Sequence, residues 1–418
     1  MANDSDSYSR PVRLPKKLPR DWCFQNLIDC CSPRQYTTLP KFGLKSEGYP
    51  VFGANGLLGY YSQFTHEYPV VGIGCRGTCG IIQRIPAKSY VNGNTMCLDD
   101  INEKIVSAAF LYHALTYRNV TDAVTGSAQP QITRGSLRRV VFPLPPAQEQ
   151  SKIVAILDAM DSAVERTMEA VERIQLLRRS IMQEMLPPWI GFRHLAAEQL
   201  PSGVDSIETA KDVMDICNGS TPSREEGRYW RNGTIPWLPT GKVNDRIITS
   251  ANEFVTESAL RECSIAILPR GTVLVGMIGQ GKTRGMCAFL DMESCINQNF
   301  GAYVPRRKVH GKWLFYYLDY HYTRLREIGG GTNQGALNCF LLKRIKFPLP
   351  SLERQQEVAA ILDAVENLEN SYQTVLKQQQ ELKKSLLHDL LTGQVRVNPA
   401  LLEQVGVAHE PSPNSDIG

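Results

Sequence analysis

The stretch FPLPPAQEQSKIVAILDA, Phe142 to Ala159, returns as FPLPSLERQQEVAAILDA, Phe347 to Ala364. The offset is 205 positions, with no gap. Gln150 falls on Gln355, and Ala155–Ala159 falls on Ala360–Ala364. Downstream, Leu177, Ser180 and Leu186 fall on Leu382, Ser385 and Leu391. Upstream, Gly126, Gln129, Leu137 and Arg139 fall on Gly331, Gln334, Leu342 and Arg344. A weaker echo links Leu27–Cys31 to Val213–Cys217 at an offset of 186, so the second half carries 19 more residues before the 205 offset is reached. Such self-similarity marks a tandem duplication.

Each copy leads into a helical pattern. Ile153, Leu157, Met160, Val164, Met168, Val171, Ile174, Ile181 and Met185 fall mostly three or four apart. Val358, Leu362, Val365, Leu368, Tyr372, Val375, Leu382, Leu386 and Leu390 do the same. This is a seam at coiled-coil spacing. Neither segment has an internal Pro or Gly, and their residue types favour helix. Pro145-Pro146 and Pro350 punctuate the starts, Pro187-Pro188 and Gly393 the ends. About 40 residues at 1.5 Å each give rods about 60 Å long. Packing of each helix on its own domain is one reading; two rods packed antiparallel on each other is the one that length and duplication favour. Ile156, Leu177, Ile361 and Leu376 widen the stripe, as core or as a docking face.

Charge is unevenly spread. The net is +4, yet 147–186 carries −2 and 352–391 carries −3, leaving +9 on the remainder. A basic remainder points to a polyanionic partner. With 418 residues there is room for two or three cores. No apolar run is long enough for a membrane span, and the first residues lack the apolar core of a secretory signal. Eleven scattered cysteines fit a reducing cytoplasm. The seven histidines show no metal spacing with them, and Cys75 with Cys79 lacks a second pair, so no metal site is expected.

The regions before the rods read as β-rich. Asn55-Gly56 is a turn between apolar runs, Tyr68–Ile73 and Thr78–Ile82 are short strands, and Thr272–Val275 and Met286–Leu290 play the same part in the second half. Lys104–Tyr117 and Lys312–Glu327 read as closing helices. Within the second region, Gly276–Thr283 matches the phosphate-cradling G-x-x-x-x-G-K-[ST] pattern letter for letter. A phosphate site needs a helix directly after the glycines. Here Arg284–Leu290 reads as another strand, and the first-half counterpart, Val70–Thr78, has the glycines without Gly-Lys-Thr. The glycines therefore read as a turn from which Lys282 and Arg284 project, with Arg76 on its twin.

The doubled Phe-Pro-Leu-Pro-x-x-x-x-Gln…Ala-Ile-Leu-Asp-Ala pattern at the head of two long helices resembles the specificity subunit of type I restriction–modification systems. Gly53-Ala-Asn-Gly56, Gly219–Ser223 with Ile235–Leu238, Gly276–Gly281 and Asn297–Asn299 agree with that family, and the likeness covers about residues 20–395. The resemblance implies an α+β chain with a pseudo-two-fold repeat: two β-rich target-recognition domains in tandem, separated and joined by two long helices packed as an antiparallel coiled-coil spacer. The boundaries would be a flexible arm at 1–19, recognition domains at 20–146 and 191–350, helical spacers at 147–190 and 351–395, and a disordered tail at 396–418. It implies a non-catalytic cytoplasmic subunit that reads a split sequence in double-stranded DNA. Two methyltransferase subunits and restriction subunits would assemble on it. S-adenosylmethionine, ATP and Mg would sit on those partners, with no cofactor on this chain. The sequence has no Asp-Pro-Pro-Tyr or Asn-Pro-Pro-Tyr motif, in keeping with that. A P-loop nucleotide hydrolase, a fused nuclease and a coiled-coil adaptor without DNA function remain the rival readings.

Base readers need Arg for guanine and Asn or Gln for adenine, whereas Lys and Arg elsewhere hold phosphates. The candidates are Arg76, Arg84 and Asn94 in the first half, and Lys242, Gln280, Lys282 and Arg284 in the second. Gln129 and Gln334 recur where the halves should read different bases, so a structural or backbone-contacting role is expected. Arg139 and Arg344 serve packing or phosphates. Phe142, Pro145, Phe347 and Pro350 form the corners that orient each domain on its helix.

Overall fold

The two long helices run Ala147–Met185 and Leu352–Leu391, 39 and 40 residues. They are seen in a computed structural model that describes residues 12–126, 129–189, 191–192, 200–279, 281–328 and 336–397. The chain forms two compact units, one of Met1–Met168 with Thr374–Gly418, the other of Glu169–Gln373, so each unit takes one half of each long helix. Among the described residues, no helix is long and apolar enough to cross a membrane.

In the first unit the beginning of one helix lies with the end of the other. Ile153 and Leu157 share a core with Leu390 and Leu391, and Asp161 pairs with Lys383 at 2.7 Å. In the second unit Met182 and Leu186 share a core with Val358 and Leu362, and Gln175 donates to Glu369 at 3.0 Å. Both pairs are therefore antiparallel. The seam is drier at its ends than the periodicity predicts. Glu369 is buried in its middle, held by Gln175, Gln373 and Arg178. Met168, Leu368, Tyr372, Val375 and Leu382, which the spacing assigns to the seam, are exposed, as is Leu177. A buried carboxylate needs partners, and here they come from both long helices, Gln175 and Arg178 on the first and Gln373 on the second.

The β-regions of the two units are built alike. The first has a four-stranded antiparallel sheet in the order Ser32–Gln35, Thr95–Asp99, Val70–Gly74, Ile82–Ile85. The second repeats it as Met214–Asn218, Phe300–Pro305, Val273–Gly276, Cys287–Leu290 and adds Ile247–Ile248 in parallel at the edge. Each unit also has a three-stranded sheet with one parallel pair: Tyr49–Gly53 beside Tyr90–Val91, and Ile235–Leu238 beside Cys295–Ile296. The helices Ala108–Arg118 and Gly311–Tyr320 bury their side chains against the larger sheets.

The Phe-Pro-Leu-Pro corners are two-stranded ribbons. Phe142 lies opposite Gln25 and Phe347 opposite Glu208, and both rings are fully buried. Proline cannot donate to a ladder, so such strands can only be edges, and the chain leaves each ribbon straight into a long helix.

Several boundaries differ from the sequence reading. The first-half strand begins at Ile82 rather than Thr78, because Gly80, at φ +90°, turns back to donate to Gly74. The closing helix of the first half starts after Ser107, whose side chain caps Phe110 N–H. That of the second breaks at His321, whose ring nitrogen meets the Pro187 carbonyl, and resumes as Tyr322–Ile328. Residues assigned to the ends of the arm and the tail make contacts. Leu18 packs on the first core, and Arg396 bonds Asp21 and Glu149.

Candidate nucleic-acid interface

The Gly276–Thr283 stretch is a hairpin turn. Val273–Gly276 runs antiparallel to Cys287–Leu290, with no helix after the glycines, so the geometry of a phosphate-binding loop is missing. The first unit has the same hairpin in the same register. Val71 faces Arg84 as Val273 faces Phe289, and Gly74 faces Thr95 as Gly276 faces Phe300. Both strands end in glycine for one reason. A Cβ on Gly74 would lie 2.4 Å from the Thr78 carbonyl oxygen, and one on Gly276 would lie 2.5 Å from that of Thr283.

Beyond the glycine, the next residue is tied on both sides. Cys75 N–H donates to the Asn94 carbonyl at 2.8 Å, and its own carbonyl accepts from Ile132 N–H at 3.0 Å. Met277 N–H donates to the Asn299 carbonyl at 2.9 Å, and its carbonyl accepts from Leu337 N–H at 2.9 Å. The chain returns through Gly80, bonded to Gly74, and through Gly285, bonded to Gly276, at φ +90° and +83°. Between these anchors the second loop is three residues longer, Gly276 to Gly285 against Gly74 to Gly80. The P-loop pattern is thus a chance product: Gly276 and Thr283 belong to the shared frame, and Gly281-Lys282 to the insertion.

The frame gathers exposed loops at one edge of each unit. In the first, Arg76 bridges to Gln131, and the Asn55 turn adjoins it, since Ala54 O lies beside Gly74 and accepts from Gln83. Arg76 is exposed and has no ion pair among the described residues. Asn94 sits beside it, holding Arg76 N–H through its backbone carbonyl. Gln129 is exposed in the adjoining loop, and its carbonyl oxygen lies where a Cβ on Gly126 would come within 2.8 Å of it. In the second unit the edge carries exposed Lys282, which has no ion pair among the described residues, and Gln298, whose side-chain oxygen accepts from Thr221 at 2.6 Å. Arg284 is partly buried, and its carbonyl accepts from Arg326. Gln280 and Gln334 lie outside the described residues.

Two candidates are engaged elsewhere. Arg84 sits within the sheet, 2.6 Å from Asp158 and 2.8 Å from His113, with its guanidinium 4.4 Å from the centre of the Tyr112 ring. Its donors tie the sheet to the first long helix. Lys242 donates to Asp245 at 2.5 Å within its own turn. The sequence reading places both on DNA: Asp158 lies 74 residues from Arg84 and is not marked as its partner, whereas Asp245, three residues from Lys242, is a local signal that reading passes over.

A second network was not visible in the sequence. Arg246 donates through both terminal nitrogens to Asp319, at 2.8 and 2.9 Å, and through Nε to Glu366 on the second long helix. Arg178, on the first long helix, reaches the same Asp319 at 3.2 Å. The strong ion-pairing holds the guanidinium charged and joins the second β-region to both helices.

Two groups of His, Cys and Asp come close enough to resemble metal ligands. In the first, His66 is taken by Thr65 and Asp99, Asp99 also accepts from Tyr36 at 2.6 Å, and burial pushes the Cys97 thiol well up. In the second, Asp158 and Asp161 hold Arg84 and Lys383 beside His113. Cations already occupy the place of an ion there, and hydrogen bonds account for the first group. Cys79 is likewise buried, donating to the Pro130 carbonyl at 3.1 Å.

A family model described as the type I restriction modification DNA specificity domain matches residues 19–175 and 206–383. The chain is 24% identical over 324 residues to the MjaVIII specificity subunit of a type I restriction enzyme from Methanocaldococcus jannaschii, across 74% of this chain and 75% of that one. It is 26% identical over 338 residues to a putative type I restriction enzyme specificity subunit from Haemophilus influenzae, across 78% and 82%. In fold it is similar to the S subunit of a type I restriction–modification system from M. genitalium, with a TM-score of 0.65 at 17% identity over 91% of this chain and 98% of that one.

Proposed function

The chain belongs to the type I restriction–modification DNA specificity family, and on that footing we propose that its two halves each read one short block of a split duplex target. The long helices serve as the ruler between the blocks and as the seat for two methyltransferase subunits, which restriction subunits join. The chain itself is non-catalytic in this reading. S-adenosylmethionine belongs to the methyltransferase partners, ATP and Mg to the restriction partner.

The observation that carries the reading is one loop frame built twice in one chain, with different side chains on it. Identical frames with different crests are what two readers of different base pairs require, because backbone contacts position while side chains specify. Exposed cations at both edges supply the phosphate attraction. The exposed row Leu368, Tyr372, Val375 and Leu382, at helical spacing, offers an apolar face of the kind a partner subunit covers.

The test is methylation mapping in a host that expresses the chain with its neighbouring methyltransferase subunit. The expected result is a motif of two specified blocks with a fixed unspecified gap. Exchanging residues 20–145 for those of another family member should change one block alone. Absence of any motif dependent on this chain, with the partner folded and bound, would leave a coiled-coil adaptor as the reading.

A further inference from the structure

Arg76 and Ile278 hold the same place on the two frames. Each directly follows the doubly tied residue, Cys75 or Met277, and each directly precedes a glycine of positive φ, Gly77 at +76° and Gly279 at +127°. Cys75 and Met277 are buried, so alternation along the extended chain throws the next side chain outward. Arg76 is exposed and without an ion pair among the described residues, and Ile278 is 43% exposed. A β-branched apolar residue on a solvent-facing turn contributes little to the fold, since the core beneath is already closed by Val275 and Met277.

We infer that Arg76 and Ile278 are the equivalent specificity-determining residues of the two readers, Arg76 selecting a guanine and Ile278 a thymine. The inference rests on the DNA-reading function proposed above and names side chains for it. Arginine forks onto the O6 and N7 of guanine, whereas an aliphatic side chain can only recognise the major groove through the thymine methyl. The crest is held rigidly, with both backbone groups of the preceding residue bonded, which is what discrimination by a single side chain needs. Neighbouring candidates fit less well. Lys282 stands on the three-residue insertion as a point charge suited to phosphate, and the Gln298 side-chain oxygen is taken by Thr221.

The experiment compares the complex of chain and methyltransferase subunit as wild type, Ile278→Arg and Arg76→Ile, by methylation mapping. Assembly is confirmed by co-purification, with Ile278→Val as a variant that keeps the methyl contact. Ile278→Arg should change one position of one block and leave the other block and the gap intact, while Arg76→Ile should change one position of the other block. Discrimination at the altered position should shift by about 5- to 150-fold, the equivalent of the roughly 1–3 kcal/mol that a good base contact contributes. If a variant complex assembles but methylates too weakly to map, its binding is measured on duplexes substituted at each block position. Loss confined to one position supports the inference. Uniform loss across positions, or an unchanged motif in both variants while the wild type shows its split motif, overturns it. A wild-type complex with no split motif would instead remove the DNA-reading function beneath it.

Discussion

Gln150 and Gln355 make the same three hydrogen bonds in the two halves. Each amide nitrogen donates twice: Gln150 to the carbonyls of Ile105 and Pro145, Gln355 to those of Lys308 and Pro350. Each amide oxygen accepts the backbone N–H at the head of the closing helix, Ser107 at 3.1 Å or His310 at 2.8 Å. One side chain thus pins the corner carbonyl, the closing helix and the first turn of the long helix. This explains why Gln recurs at the head of both long helices.

Removing that staple strands three backbone groups, of which the corner carbonyl is bonded in a buried position and the other two in partly buried ones, a loss of about 1–3 kcal/mol for the buried carbonyl and less for the others. Gln355→Ala should therefore lower the urea midpoint of unfolding clearly, and Gln355→Glu should do so too, because a carboxylate cannot donate to either carbonyl. Gln150→Ala should behave the same way. Equal midpoints for wild type and Ala variants would contradict the staple.

Lys282→Ala should weaken DNA binding uniformly across sequences and reduce the slope of log affinity against log salt by about 1. No nucleotide binding should exist to be lost, since the hairpin leads into a strand. Fluorescence titration with labelled ATP and labelled duplex separates the two. Saturable ATP binding that disappears in the variant would revive the hydrolase reading.

Arg246 adopts φ +59°, ψ −59°, a strained backbone for a side-chain-bearing residue. Its network to Asp319 and Glu366 holds it there. Arg246→Ala should destabilise by about 1–3 kcal/mol, less than a fully buried pair because the side chain keeps a third of its exposure. Arg246→Gly removes the same interactions but relaxes the backbone, so it should be the milder of the two by about 1 kcal/mol. Chemical denaturation of both variants checks the order.

Burial pushes the pKa of His113, His310 and His321 below the usual histidine value of 6.5, with Asp158, Asp363 and the Pro187 carbonyl partly opposing it. The unfolded chain then binds more protons than the folded one once pH falls below about 6.5. Stability from these rings is complete above that pH and drains away as pH drops toward their folded values. Urea midpoints should fall from pH 7 to pH 5.5, and the fall should be smaller in His113→Gln. A pH-independent midpoint over that range would refute the assignment.

The duplication, the two long helices and the turn nature of the glycine stretch were all legible in the sequence, because they rest on local signals: a repeated string, a 3.6-residue period, and Pro and Gly as punctuation. Phe142, Phe347 and Gln150 with Gln355 were legible for the same reason. The fate of the cations was legible only in part. Arg76 and Lys282 are displayed, while Arg84 is paired with a distant residue and Lys242 with Asp245, three residues on in its own turn. The partner of Arg84 lies 74 residues away, and those of Arg246 lie 73 and 120 away. The glycine spacing of Gly74–Gly77 and Gly276–Gly279 allowed Ile278 to share a place with Arg76, but the sequence reading set Lys282 and Arg284 opposite Arg76 instead. That equivalence is written in backbone hydrogen bonds to Asn94, Asn299, Ile132 and Leu337, which form only when distant loops meet. Sequence determined which elements exist, since helix and turn propensities act over a few residues; tertiary structure decided which side chains are spent on the fold and which are left exposed, since that depends on what packing brings within about 3 Å.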